Sequence, residues 1–237
     1  MVSSHPNSIG ARTLKQRILK RGRFIYITGC DGTGKTTQAA LMMQRLRNLG
    51  EDPLHLWLRF PFLTSVPLLA YARWRGYSYY EEIISETGNL IRHGYWDFDR
   101  SWLLRIFLPW FLLIDVAIAA VRKVYWPIWC GETIVCERFA IDTMIDLSVG
   151  LADPDFIRKV PGKLFLRIVP DLESVVLLDL SEQEARSRRE DLVSDQRLTQ
   201  RLSSYREAAK IAGLTMVSTD RSIEQVFDEV VRRIRIK

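Results

Sequence analysis

The sequence is poor in cysteine and histidine, with three of each among 237 residues, and no two cysteines form a C-x-x-C pair. Cys30, Cys130 and Cys136 are odd in number, and two of them fall in strand or loop positions. That usage argues against a disulfide framework or a zinc site and suits a reducing cytoplasm. No secretory leader is legible: the first 23 residues hold no apolar stretch and end in the basic run RTLKQRILKRGR. The expected location is therefore cytoplasmic, with residues 1–22 a solvated, flexible arm. No internal repeat or low-complexity block appears. The net charge of +6 lies largely in that arm and in an arginine-rich segment near residue 188, so it does not call for a nucleic-acid partner.

A long uninterrupted apolar run is also missing. Residues 101–129 come nearest, but their longest uncharged run, residues 106–114, contains Pro109 and is bounded by Arg105 and Asp115. A spanning helix needs about 20 apolar residues. The segment reads as a long helix buried in the domain or at a subunit interface, with membrane-surface contact the less favoured reading.

What is present fits one α/β domain over residues 23–237, long enough to bury a sheet between two helical layers at 47% hydrophobic content. Five short apolar runs read as buried parallel strands: 24–28, 53–60, 133–137, 174–180 and 214–218. Helical stretches are expected at 35–48, over much of 80–129, in pieces through 142–168, and at 181–190, 196–212 and 222–235. That succession predicts a five-stranded parallel sheet with helices on both faces and ligands at the carboxyl ends of the strands.

Directly after the first strand, residues 29–36 match G-x-x-x-x-G-K-[ST]. Gly29, Gly32 and Gly34 let the backbone curl so that its N–H groups point inward, and Lys35 reaches the outer phosphates of a nucleotide. Thr36 supplies a hydroxyl for Mg²⁺. Asp31, Thr33 and Thr37 complete the candidate ATP-binding set.

The run DGTGKTTQ, residues 31–38, resembles the loop of the thymidylate kinase family, commonly D-G-x-G-K-[ST]-T-Q, and the resemblance can be followed from about residue 23 to 235. Arg59-Phe60-Pro61 is similar to that family's R-F-P, whose arginine holds the acceptor phosphate. Glu137-Arg138-Phe139 stands where the family usually writes D-R-Y, which implies Glu137 near the metal and Arg138 on the acceptor phosphate. The segment EQEARSRREDLVSDQR resembles the family's short arginine-rich lid, here about residues 187–197. Thr33 occupies a loop position where some members carry arginine. Members lacking it place catalytic arginines in the lid, and of Arg186, Arg188, Arg189 and Arg197 the favoured pair is Arg188 and Arg189.

The resemblance implies a P-loop kinase fold, a homodimer, and an ATP- and Mg²⁺-dependent transfer of phosphate to a nucleoside monophosphate, dTMP first. Catalysis would fall to Lys35, Glu137, Arg138, Arg188 and Arg189, and metal binding to Thr36 and Glu137. The base-reading F-x-x-x-R of the family is replaced here by Phe111 and Asp115 at i, i+4, and Asp142 is a second carboxylate that could face the acceptor. The expected acceptor set is thus Asp31, Arg59, Phe111, Asp115, Arg138 and Asp142, with thymidylate preference weakened because a carboxylate can only accept a hydrogen bond. Alternatives are a deoxynucleoside kinase, a nucleotide-binding regulator without an acceptor site, and a kinase whose acceptor is apolar and docks along residues 101–129.

Overall fold

The chain is described by a computed structural model over residues 22–59, 62–84 and 90–234. The expected flexible arm, all but Gly22, and Phe60 and Pro61 of the R-F-P resemblance lie outside the described residues.

Five parallel strands form the central sheet: β1 (Phe24–Gly29), β2 (Leu54–Leu56), β5 (Ile134–Cys136), β6 (Val175–Asp179) and β7 (Thr215–Ser218), in the spatial order β2-β5-β1-β6-β7. The intervening β3 (Ser78–Ile84) and β4 (Leu90–Trp96) pair only with each other, antiparallel from Ser78 opposite Trp96 to Ile84 opposite Leu90. This hairpin corrects the helix expected from residue 80 onward. Its strands are rich in tyrosine and isoleucine and only half-buried, so neither period dominates the sequence.

Strand β1 is buried throughout, and alternation sends its side chains to two cores. Ile25 and Ile27 meet Met42, Leu46, Val226 and Val230 from α1 (Lys35–Asn48) and the last helix (Ile223–Arg233). Phe24 and Tyr26 meet the opposite layer, where Phe139 closes edge-on against both rings. That layer is built from α3 (Trp102–Ala120), α5 (Ala140–Gly150), α6 (Val160–Ile168) and α9 (Leu198–Ala212). The fold is α/β, an all-parallel sheet covered on both faces. Because β1 lies between two strands that follow it much later in the chain, the order reverses there, and a crevice opens at its carboxyl end.

Helix α2 (Val66–Trp74) packs on α3 through a buried carboxylate. Asp115 Oδ1 accepts from the Thr64 amide at 2.7 Å and hydroxyl at 2.6 Å, and Oδ2 accepts from the amides of Leu63 and Ser65, each at 3.0 Å, and the Ser65 hydroxyl at 2.6 Å. Helix α3 continues through a π turn, Val121–Tyr125, into α4 (Trp126–Trp129). Among the described residues this continuous element, Trp102–Trp129, is the one helix long and apolar enough to cross a membrane, with mean hydropathy 2.1 over its most apolar 18 residues, yet 44% of that window is buried against the fold. Of the expected burial, in the domain or at a subunit interface, the fold itself supplies one face only.

Candidate functional site

The glycine-rich loop leaves β1 at the sheet's switch point and ends as α1 begins. Gly29 has φ +146, and a Cβ there would stand 2.3 Å from the Leu178 carbonyl oxygen of the neighbouring strand. Gly34, at φ +82, is the left-handed residue from which α1 starts. Only glycine fits both demands. Inside the loop the Lys35 ammonium donates to the Cys30 carbonyl at 2.7 Å and lies 3.5 Å from Asp31, while the Thr33 hydroxyl closes onto the same carbonyl.

Strand β5 delivers the next residues. Glu137 is buried and central: its Oε2 accepts from the Thr36 hydroxyl at 2.7 Å, and its Oε1 lies 2.6 Å from His55 Nε2. Arg138 then turns with φ +98, a conformation that costs a side-chain-bearing residue about 1–3 kcal/mol and is retained where the surroundings require it. The turn aims its guanidinium at Asp31, which it pairs, with Asp142 behind it at 3.7 Å.

Asp142 is fully buried and saturated. It accepts from Tyr26 at 2.5 Å, Thr28 at 3.1 Å, the Phe139 amide at 3.0 Å and Tyr205 at 2.8 Å. It therefore serves to hold Arg138 and the start of α5, which corrects the expectation that it faces an acceptor.

Arg59 lies beyond β2 and is gripped in a fork by Asp146 of α5, at 2.9 and 3.0 Å. Helices α7 (Glu182–Arg188) and α8 (Glu190–Val193) bring in the last two arginines. Arg188 is held by Glu184 and by the Thr219 carbonyl at 2.7 Å, and Arg189 by Asp191. Arg186 and Arg197 are used elsewhere. Arg186 joins the carbonyls of Leu192 and Val193, and Arg197 lies on the Tyr95 ring and pairs with Asp97.

These groups line one cavity of about 410 Å³, walled by Asp31, Gly32, Gly34, Lys35, Thr36, Trp57, Arg59, Glu137, Arg138, Arg188 and Arg189. Five cationic side chains thus face two carboxylates, Asp31 and Glu137, while Asp142, Asp146, Glu184 and Asp191, which also hold the arginines, are not among the lining residues. The charges are felt in the titration of their neighbours. Burial would raise Asp31, but Lys35, Arg138 and Arg59 outweigh it and hold its carboxyl well below the usual range. Burial, and then Arg138, lower the Lys35 ammonium. Burial pushes the Cys30 thiol up to about 11, leaving it inert beside the loop.

A second cavity of about 560 Å³ shares Gly32, Gly34 and Arg188 with the first and extends past Thr37 to Thr219, Ser222 and Ile223. A third, about 70 Å³, shares Arg59 and is closed by Tyr95 and Trp96 of β4 and by Asp146, Arg197 and Arg201.

Of the residues expected from sequence, the structure brings Asp31, Gly32, Gly34, Lys35, Thr36, Arg59, Glu137, Arg138, Arg188 and Arg189 to one cavity and Thr33 and Thr37 to its neighbour. It does not bring Phe111 and Asp115. They line neither cavity, and the Asp115 carboxylate already takes five hydrogen bonds around the start of α2. Asp115 is therefore not available to read a base.

Sequence reasoning missed His55, Trp57, Asp146, Arg201 and the hairpin residues. The signal for the first two was present: alternation along LHLWLR puts His55, Trp57 and Arg59 on one side of the strand. The hairpin carried no comparable signal. A scan against protein-family models finds no match, and a search of curated proteins finds none.

Proposed function

We infer that the protein is a nucleoside monophosphate kinase of thymidylate kinase type, with the glycine-rich loop acting as a P-loop for ATP. The observation that carries this reading is the shared cavity, lined together by the loop with Lys35 and Thr36, by Arg59 and Arg138, and by Arg188 and Arg189. Two phosphates brought head to head need positive charge on both sides and between them, and the lining residues supply it. In this reading the 560 Å³ cavity takes the donor nucleoside, and Lys35 takes the outer donor phosphates.

Arg59 and Arg138 take the acceptor phosphate by forked hydrogen bonds, which lysine could not form. That is why the acceptor is assigned a phosphate of its own, against a free nucleoside. Thr36 and Glu137 present two hard oxygens side by side, a set that fits Mg²⁺ carried in with a nucleotide and keeping several waters. When bound there, the ion supplies charge neutralisation at the outer phosphates. Arg188 ends one short helix and Arg189 is the extended residue that joins it to the next, where a small closing motion of the lid would exclude water from the phosphates. The third cavity is too small for a nucleoside as it stands, so the acceptor's base requires Arg59 or the β4 edge to shift.

The test is ADP release from Mg·ATP with a panel of nucleosides, nucleoside monophosphates and no acceptor. Turnover that depends on a monophosphate is the expected result. Turnover only with free nucleosides, or none with any acceptor, overturns the reading.

A further inference from the structure

Helix α3 presents a second surface that the site does not use. Trp102, Ile106, Trp110, Ile114, Ile118 and Val121 follow one another at steps of four and three residues, and every one is exposed. At 3.6 residues per turn they form a continuous stripe, and Trp126 and Trp129 extend the exposed apolar surface at its far end. Leu63, whose amide donates to Asp115, and Val66, at the start of α2, are exposed beside it. The opposite face, Leu104, Leu108, Leu112 and Val116, is sealed into the core. The helix is thus anchored along its length and lies flat on the fold, so that a membrane could be met by its outer face but not crossed by it.

Charge identifies what that face suits. Arg105, Arg122 and Lys123 are exposed at the helix's two ends. Between Trp102 and Trp129 the only acidic residue is Asp115, which is buried and engaged. Pairing two copies about a twofold axis would set these basic ends against one another with no acid on the helix to offset them, a penalty for self-association. An anionic surface meets them favourably.

The first described residue, Gly22, lies at the same place. The Gly22 amide donates to the Ile128 carbonyl at 3.1 Å, beside Trp126 and Trp129. The residues before Gly22 include five arginines and lysines and no aspartate or glutamate. Tryptophan at an interface, an apolar stripe below it and a basic segment alongside are the features that hold a helix in the plane of a bilayer containing anionic lipid.

We propose that the exposed face of the 102–129 helix, with the basic segment anchored at its end, docks the protein on an anionic lipid bilayer. This surface stands apart from the phosphate cavity, so the proposal does not depend on the kinase reading.

The experiment is co-sedimentation of the full chain with phosphatidylcholine vesicles with and without roughly 30 mol % phosphatidylglycerol, with tryptophan emission followed in parallel. Binding to the anionic vesicles with a blue shift, and weakening at about 0.5 M salt, is expected. Ile114→Glu and Trp110→Glu, both at exposed positions, should each lower partitioning about tenfold or more while circular dichroism stays that of the parent. Should one of them fail to fold, Ile118→Glu takes its place. No partitioning onto anionic vesicles overturns the proposal. So does partitioning that the glutamate variants leave intact but removal of residues 1–21 abolishes, which assigns binding to the arm alone. A dimer in sedimentation that Ile114→Glu dissociates, with no vesicle binding, gives the face to a second copy instead.

Discussion

Replacing Asp115 by alanine should unfasten α2 from α3, and the cost can be worked from the hydrogen bonds it removes. Five donors converge on this carboxylate, and Ser65, which supplies two of them, is fully buried. Leaving a buried donor unsatisfied costs about 1–3 kcal/mol, and loss of a helix-start acceptor about 1 kcal/mol more. The Leu63 and Thr64 groups sit nearer solvent and recover most of their loss from water. Taking the lower end for each of the two Ser65 donors, the sum is about 3 kcal/mol, a large share of a stability of ~5–15 kcal/mol. For a domain of this size it corresponds to a fall in Tm of about 6–12 °C.

Asp115→Asn keeps one oxygen acceptor but turns an amide N–H₂ toward donors, so it should fall between parent and alanine. Burial raises the Asp115 pKa, but hydrogen bonds from Ser65 and Thr64 outweigh this and leave it lowered. Its contribution is therefore complete above the unfolded-state value, about 3.9, and lost as pH falls through the lower folded value. Urea unfolding followed by tryptophan fluorescence at neutral and acid pH measures both effects. An alanine variant within about 0.5 kcal/mol of the parent, or one of unchanged stability whose nucleotide preference moves, would refute the structural role argued here.

Lys35→Ala should leave the unfolding midpoint near the parent's while phosphotransfer drops on the order of 10² or more, because the ammonium is needed for the phosphates; equal turnover would remove the loop from catalysis. Arg138→Gly should keep stability within about 1 kcal/mol, since relief of the left-handed backbone offsets the lost ion pairs, yet raise the acceptor KM about 10- to 100-fold and the ATP KM far less; the reverse split would reassign it. Asp31→Asn should flatten the acid end of the stability curve: with its folded pKa depressed by Lys35, Arg138 and Arg59 against the effect of burial, the native Asp31 contributes stability above pH ~4 that disappears as pH falls, and a variant curve parallel to the parent's would show that these pairs are energetically idle. Removing residues 1–21, just short of the Gly22 hydrogen bond to Ile128, should leave turnover of soluble substrates within about twofold, as steady-state rates of the truncated chain would reveal.

The parts of the molecule set by local rules were legible in the sequence. Strands β1, β5 and β6 are short apolar runs between polar ends, and burial on both faces leaves such runs little choice; β7, at the sheet edge, buries only Val217 fully. The glycine-rich loop was equally legible, because the positive φ of Gly29 and Gly34 is a local backbone demand, although the close approach of the Leu178 carbonyl to Gly29 is tertiary. What the sequence could not supply were partners far apart along the chain. The hairpin of β3 and β4 forms because two half-buried segments find each other, and neither announces its period alone. Asp115 and Asp142 show the same limit more sharply. Both were candidate acceptor ligands by spacing, and only tertiary structure decided otherwise, by bringing residues 63–65 onto one and Tyr26, Thr28 and Tyr205 onto the other. A carboxylate's role depends on which donors reach it, and those donors lie 50 to 116 residues away in the chain. The same reason governs the apolar helix: its composition said that it must be buried, in the domain or at an interface, and packing alone determined which face the domain covers and which is left to the outside.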